Sequence, residues 1–282
     1  MKSLANKVAA ITGAGSGIGR ALALELAAQN CALSLSDIDA AGLAETAKLL
    51  AGSGVKVTTA KVDVSKLKQM SAWAAKTAAE HGQVNLIFNN AGVGVAGTVE
   101  SLSYEDCEWI TGINYWGVIY GTKEFMPYLK ASGDGHIVNT SSIFGLFAQP
   151  SQSAYNATKF AVRGFTESLR QELDLLKNGV SATCVHPGGI KTNIAKSART
   201  NDSLRAITGS DPEKGKADFE KLFRTTPQQA ARTILDGVRR DARRVLIGGD
   251  ARATDLMQRL LPTAYQRLVT LAVRTQARFQ AA

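Results

Sequence analysis

Val8-Ala9-Ala10-Ile11-Thr12-Gly13-Ala14-Gly15-Ser16-Gly17-Ile18-Gly19-Arg20-Ala21-Leu22 runs from an apolar pentapeptide through a glycine turn into the opening of a helix. Glycines, lacking Cβ, let the backbone turn tightly and approach a pyrophosphate, while the first N–H groups of the helix and its dipole attract the anion. The spacing is Gly13-x-x-x-Gly17-x-Gly19, not the more widely quoted G-x-G-x-x-G, because position 18 is Ile. A glycine loop alone reads equally well as a flexible turn. Its place directly after a strand points to a dinucleotide, with Gly13, Ser16, Gly17, Ile18 and Gly19 as contacts.

Outward from that turn, short apolar runs alternate with longer amphipathic stretches as far as about residue 190, the pattern of βαβ units. Strands are predicted at Val8–Thr12, Ala32–Ser36, Val55–Val62, Leu86–Asn89, His136–Thr140 and Val180–Val185, with a late seventh at Arg244–Ile247. Helices are predicted at Arg20–Gln29, Ala40–Ala51, Leu67–His81, Tyr104–Leu129 and Ser153–Leu176, where apolar residues recur at three- and four-residue spacing. The expected fold is α/β: a single-domain, Rossmann-type, doubly wound parallel sheet of about seven strands with helices on both faces. The dinucleotide-binding catalytic domain spans 1–250. Within it, 191–226 is polar and contains Gly209, Pro212 and Gly215; it is too irregular for a strand and reads as a lid over the substrate. A helix starts at Pro227. Residues 251–282 form a helical extension interrupted near Pro262.

The second strand ends in Leu35-Ser36-Asp37, placing Asp37 18 residues beyond Gly19, near the interval at which an acidic side chain accepts hydrogen bonds from the adenosine ribose. A carboxylate there repels a 2′-phosphate, and Ser16, Ser36 and Ile38 fill the positions where an NADP-binding Arg or Lys would be expected. NAD is favoured over NADP. Asp39 competes for the ribose role, and a helix-cap or turn function is the plain alternative for Asp37.

The 282 residues are 45% hydrophobic, enough for a sizeable core, and no apolar run reaches the length of a membrane span. Cys31, Cys107 and Cys184 are odd in number and far apart, which suits buried thiols in a reducing compartment, with the cytoplasm as default. Three histidines without paired spacing give zinc little to build on, so no metal is expected. The net charge of +9 raises nucleic acid and membrane surfaces as partners, yet the charges are dispersed and no recognition motif appears, which argues against nucleic acid. The exception is the C-terminal helix, where Arg267, Arg274 and Arg278 fall in one sector and are read as lying opposite Leu268, Leu271 and Val273. This is either a solvated face or a peripheral membrane contact.

Farther along stand Asn89-Asn90-Ala91-Gly92, Asn114, Ser141-Ser142 and Tyr155-Asn156-Ala157-Thr158-Lys159. Taken with Thr12–Gly19, this resembles the short-chain dehydrogenase/reductase family in its single-domain form, over Lys7 to about Thr192. The order and intervals of the motifs are specific, although each alone is modest. In a helix, Tyr155 and Lys159 share a face one turn apart, and a cation beside a phenol favours phenolate, moving the group toward working pH. Tyr155 is thus the candidate acid/base. Ser142, 13 residues earlier, can donate to the substrate oxygen, with Ser141 its rival. The resemblance further implies that Lys159 bonds the nicotinamide ribose and that Asn114 ties Lys159 to a proton-relay water. It also assigns Asp63 and Val64 to the adenine, Asn90, Ala91 and Gly92 to the adenine ribose, and Pro187, Gly188, Ile190 and Thr192 to the nicotinamide amide.

Val93, Val95, Ile143, Phe144, Leu146, Gly189 and Ile190 are expected near the reacting carbon, with Val93, Phe144 and Gly189 joining Ser142 in binding substrate. This mainly apolar set suits a hydrophobic secondary alcohol or ketone. Family members are usually dimers or tetramers, so a homo-oligomer is expected. An NADP-dependent ketone reductase is the nearest rival. A regulatory protein that binds NAD without turnover fits less well, because Ser142, Tyr155 and Lys159 are all present.

Overall fold

The computed structural model describes residues 1–209, 211, 215, 217, 221 and 223–281, the side chains of 206, 208 and 276–281 excepted. Pro212 and the Arg278 side chain therefore lie outside the described residues.

The first strand, β1 (Val8–Thr12), is buried at every position and takes parallel neighbours on both edges, which is why its sequence is continuously apolar and not alternating. Around it lie β2 (Ala32–Asp37), β3 (Val57–Lys61), β4 (Leu86–Asn89), β6 (Gly135–Thr140), β7 (Val180–Pro187) and β9 (Arg244–Ile247), in the order β3-β2-β1-β4-β6-β7-β9, all parallel. The chain winds outward in both directions from the β1–β4 boundary. That leaves a crevice at the carboxyl ends of these strands, where ligands bind in open α/β sheets.

Two apolar layers sandwich the sheet. One packs α1 (Gly17–Ala27) and α8 (Pro227–Arg239) on it through Leu22, Leu26, Ile234 and Val238. The other packs α3 (Leu67–His81), α5 (Gly117–Ala131) and α6 (Ser153–Leu176) through Trp73, Phe125 and Leu169. Trp73 meets Phe125 edge-on at 4.9 Å and donates its indole N–H to Ser34 Oγ, so its polar end is satisfied inside the core. α2 (Ala40–Leu49) is capped by Asp39, whose side chain accepts from Ala41 N–H. α8 opens with a Thr226–Gln229 capping box and Pro227 in its first turn, the start expected from the proline.

The structure departs from the sequence reading in three places. The predicted helix Tyr104–Leu129 is α4 (Tyr104–Thr111), a π turn (Gly112–Trp116) and α5. The stretch 191–226 is not wholly irregular: it contributes β8 (Arg199–Thr200), paired with β5 (Val95–Ala96), the helix α7 (Ser203–Thr208), and a bridge from Ile190 to Thr225. The extension forms α9 (Gly249–Leu260) and α10 (Tyr265–Ala281), and in α10 Leu268 and Leu271 stand exposed with Arg267 and Arg274, while Tyr265, Val269 and Val273 turn inward. Leu271 is four residues from Arg267 and three from Arg274, so these side chains share a helix face instead of opposing one another.

Candidate active site

A cleft of about 300 Å³ opens at the carboxyl edge of the sheet, running from Asp37 and Asp63 at one end to Tyr155, Lys159 and Ser142 at the other. It brings together Gly13, Ser16, Gly17, Ile18, Asp37, Asp63, Val64, Asn90, Ala91, Gly92, Val93, Ser142, Tyr155, Lys159, Pro187, Gly188, Ile190 and Thr192, residues that the sequence scatters over 180 positions.

The glycine turn is shaped for close approach. Gly13 and Gly17 adopt positive φ, and a Cβ on Gly19 would meet the Gly13 carbonyl oxygen at 2.0 Å. Gly19 therefore serves the turn from behind and does not line the cleft. Asn90 clamps the turn, its side-chain amide donating to Thr12 O at 3.1 Å. Asp37 accepts from Gly15 N–H at 2.8 Å through Oδ2 and from Asp39 N–H at 2.9 Å through Oδ1, so the carboxylate is fixed at the end of β2. Asp39 is taken up as the α2 cap. Asp63 holds its own turn by accepting from Ser65 N–H and Oγ. These surroundings fit a dinucleotide: a tight glycine turn opening α1, a carboxylate at the end of β2, and Lys159 as the one cation among the described residues lining the cleft.

At the other end, α6 projects Tyr155 and Lys159 one turn apart, with the Lys159 ammonium 5.6 Å from the Tyr155 ring centroid. The Tyr155 hydroxyl and the Ser142 side chain face the same end of the cleft, where the Ser142 hydroxyl favours the phenolate form of Tyr155. Lys159 Nζ donates to Thr140 O at 3.0 Å, so its charge has a partner although it is almost wholly enclosed. Asn114 does not line the cleft. It lies behind it on the π turn, where Oδ1 accepts from Val93 N–H at 2.8 Å and Nδ2 donates to Val93 O at 3.0 Å and to Thr158 Oγ1 at 3.3 Å. π turns recur at functional sites because one extra residue re-aims a side chain.

The electrostatics differ from the expectation that Lys159 draws the phenol down. Burial pushes Tyr155 up to about 12, the Ser142 hydroxyl opposing it, and burial likewise pulls Lys159 down to about 8. Removing both groups from water disfavours each charged form. The protein alone thus holds a protonated phenol.

Four of the residues expected near the reacting carbon lie behind the wall. Phe144 is buried, edge-on to Tyr155 at 6.1 Å; Val95 is taken into β5; Leu146 is enclosed; and Ile143 packs on the Phe144 cluster. Gly189 also sits outside the lining, its N–H donating to Asp250 Oδ2 at 2.6 Å and its Cα against Phe223. In their place Ile113, Ile194, Ser197 and Phe223 border the cleft. Three of these come from 191–226, where no periodicity marked them, and Asp250, which ties the 187–189 turn to α9, carried no sequence signal beyond following Gly248-Gly249.

A doubly wound sheet with a nucleotide-shaped turn and a Tyr–Ser–Lys cluster across one cleft is the architecture of a nicotinamide-dependent oxidoreductase. Residues 7–203 match the sequence pattern of the short chain dehydrogenases, and the chain belongs to that family. A Mycobacterium tuberculosis protein named as an oxidoreductase, SadH, is 47% identical over 274 residues, 97% of each chain. Estradiol 17-beta-dehydrogenase 11 of Pongo abelii is 31% identical over 99% of this chain and 87% of its own. A short chain dehydrogenase/reductase from Burkholderia phymatum, solved in complex with NAD, superposes with a TM-score of 0.87 at 30% identity, covering 94% of this chain and 97% of that one. Among the described residues no helix is long and apolar enough to cross a membrane.

Proposed function

We propose that this oxidoreductase transfers a hydride between NAD and a hydrophobic secondary alcohol or ketone, with Tyr155 as its general acid/base. One observation carries the reading: Tyr155, one helical turn from Lys159, lines the same cleft as Ser142 and the glycine turn. When bound, the nicotinamide supplies or accepts the hydride.

The rest is done by the chain. Tyr155, its proton held to about 12, donates to the oxygen of a ketone as negative charge develops there, and in the opposite direction its phenolate takes the alcohol proton. Ser142 steadies that oxygen with its hydroxyl. Lys159 is placed to bond the nicotinamide ribose and to stabilise the phenolate left behind. Asn114 fixes the Val93 backbone at the floor of the cleft. Pro187, Gly188, Ile190 and Thr192 orient the ring, and the segment 191–226 covers the cleft through Asn193, Ile194, Ser197 and Phe223. Val93, Ile113, Ile190, Ile194 and Phe223 make the substrate end apolar, which supports a bulky hydrophobic substrate. The carboxylate of Asp37, with no guanidinium among the described residues lining the cleft, supports NAD over NADP. The enclosed free thiols of Cys31 and Cys184 suit the cytoplasm, and the exposed Trp116 and Phe160 suit a homo-oligomer.

Tyr155→Phe keeps the ring and its packing and removes the transferable proton. Turnover with a panel of hydrophobic alcohols and ketones, followed at the NADH absorbance, should be abolished while NADH still binds by fluorescence. Near-native turnover in the variant overturns the assignment.

A further inference from the structure

The two helices of the C-terminal extension have different inner and outer faces. Inward, Met257, Tyr265 and Val269 close the aromatic cluster of Phe144 and Phe147 that backs Tyr155, and the Tyr265 hydroxyl accepts from Ala148 N–H at 3.1 Å. Outward, Leu256 and Leu260, one turn apart on α9, are 57% and 69% exposed, and Leu268 and Leu271 on α10 are 50% and 63% exposed. Exposed arginines are interspersed with them: Arg252 and Arg259 on α9, Arg267 and Arg274 on α10.

The charge on this outer face is one-sided. From 251 to 275 the one carboxylate is Asp255, which is largely enclosed and already paired with Arg244 at 3.0 Å and Arg259 at 2.8 Å. Among the described residues no carboxylate lies within ion-pair distance of Arg252, Arg267 or Arg274. On each helix two exposed leucines three or four residues apart stand among arginines, a paired apolar stripe that a solvated face does not need. A second copy meeting this face about a two-fold axis would set each arginine patch against its own image, so the charge disfavours self-association. Arginines flanking leucines on a surface-lying helix are what an anionic bilayer surface recognises: the leucines enter the acyl boundary and the guanidiniums stay with the headgroup phosphates.

We propose that the outer face of α9 and α10, through Leu256, Leu260, Leu268 and Leu271 and the arginines among them, docks the protein on the surface of an anionic phospholipid bilayer. The claim stands on this face alone and is independent of the proposed substrate. Since α9 and α10 also back the catalytic tyrosine, docking would hold the cleft beside the membrane.

The full chain is floated with phosphatidylcholine vesicles, with and without phosphatidylglycerol, over a series of salt concentrations. Binding is expected to the anionic vesicles and to weaken as salt rises. Arg267→Glu with Arg274→Glu should weaken it by about 25-fold or more, at roughly a fivefold loss for each of the two positive charges removed. Leu268→Ser with Leu271→Ser should also weaken it severalfold, with unchanged melting temperature and unchanged turnover of a water-soluble substrate. Equal partition to neutral and anionic vesicles, or leucine variants that bind like the parent, overturns the proposal. So does an oligomer that the leucine variants dissociate, which assigns the face to a second copy, or retention on polyglutamate matching that on vesicles, which assigns it to an acidic polypeptide.

Discussion

Ser141 and Ser142 are neighbours in the chain yet serve different ends: Ser141 Oγ donates to the Lys159 carbonyl oxygen at 2.7 Å, while Ser142 lines the cleft beside Tyr155 and its Oγ accepts from Phe144 N–H at 3.1 Å. The Ser141 bond ties the end of β6 to the backbone of α6; the Ser142 hydroxyl reaches the cleft. Ser142→Ala should therefore lower kcat by about 100- to 1,000-fold, the range for losing one donor to a developing oxyanion. Ser141→Ala should instead cost about 1 kcal/mol of stability by removing one buried hydrogen bond, the Lys159 carbonyl keeping its partner within α6, with a much smaller effect on kcat. Melting curves and kcat for the pair decide between them, and the reverse pattern would hand the catalytic role to Ser141.

Asp37 couples cofactor choice to the shape of the glycine turn, because the carboxylate that would face the ribose also accepts from Gly15 N–H. Asp37→Ala should narrow the preference for NAD over NADP by roughly tenfold, equivalent to about 1.4 kcal/mol. NAD affinity should fall as the turn loosens. Fluorescence titration with NADH and NADPH measures both, and an unchanged ratio removes Asp37 from the discrimination.

Two glycines in helices on opposite faces of the sheet should respond in opposite directions. In Gly19→Ala the new methyl would overlap the Gly13 carbonyl oxygen, backbone that cannot swing aside, and a loss of about 2–4 kcal/mol with failure of NADH binding is expected. Nothing lies within 4 Å of a Cβ on Gly164 in the middle of α6, so Gly164→Ala should stabilise by about 0.5–1 kcal/mol. Urea unfolding of the two variants provides the comparison.

Burial lowers His136 and His186 to about 4, from 6.5 for the free side chain. Between those values the unfolded chain binds more protons than the folded one, so the stability present above about pH 6.5 is lost as pH falls toward 4, by about 3 kcal/mol per histidine at most. Asp241 and Glu167, held below their usual range against burial by Arg170 and by Arg244 and Arg163 respectively, extend the loss to lower pH. Melting temperature should fall steadily from pH 7 to pH 4. His136→Gln should flatten that slope, and an equal slope in the variant would show that His136 does not contribute.

The sheet was legible in the sequence because a parallel strand buried on both faces must be continuously apolar, and Val8–Thr12 and Leu86–Asn89 lie where that rule puts them. The pairing of Tyr155 with Lys159 was legible from helical spacing, and Ser142 from the interval of the family it resembles. Three things were not. The protonation of Tyr155 depends on how deeply neighbours enclose it, which no local pattern encodes. The contribution of Ile194, Ser197 and Phe223 depends on tertiary contacts of a segment without periodicity. The Leu268 and Leu271 side chains turned outward because Tyr265, Val269 and Val273 occupy the inward face, a contest between two apolar sets that composition does not rank.

The π turn at Gly112–Trp116 holds one residue more than the ladder on either side of it can pair in the α-helical manner. Deleting a single residue there would let α4 and α5 fuse into one straight rod and would swing Asn114 about 100° around its axis, away from Val93 and Thr158. The helix would gain regularity while the cleft lost its floor. The kink is the signature of an insertion that trades local order for aim.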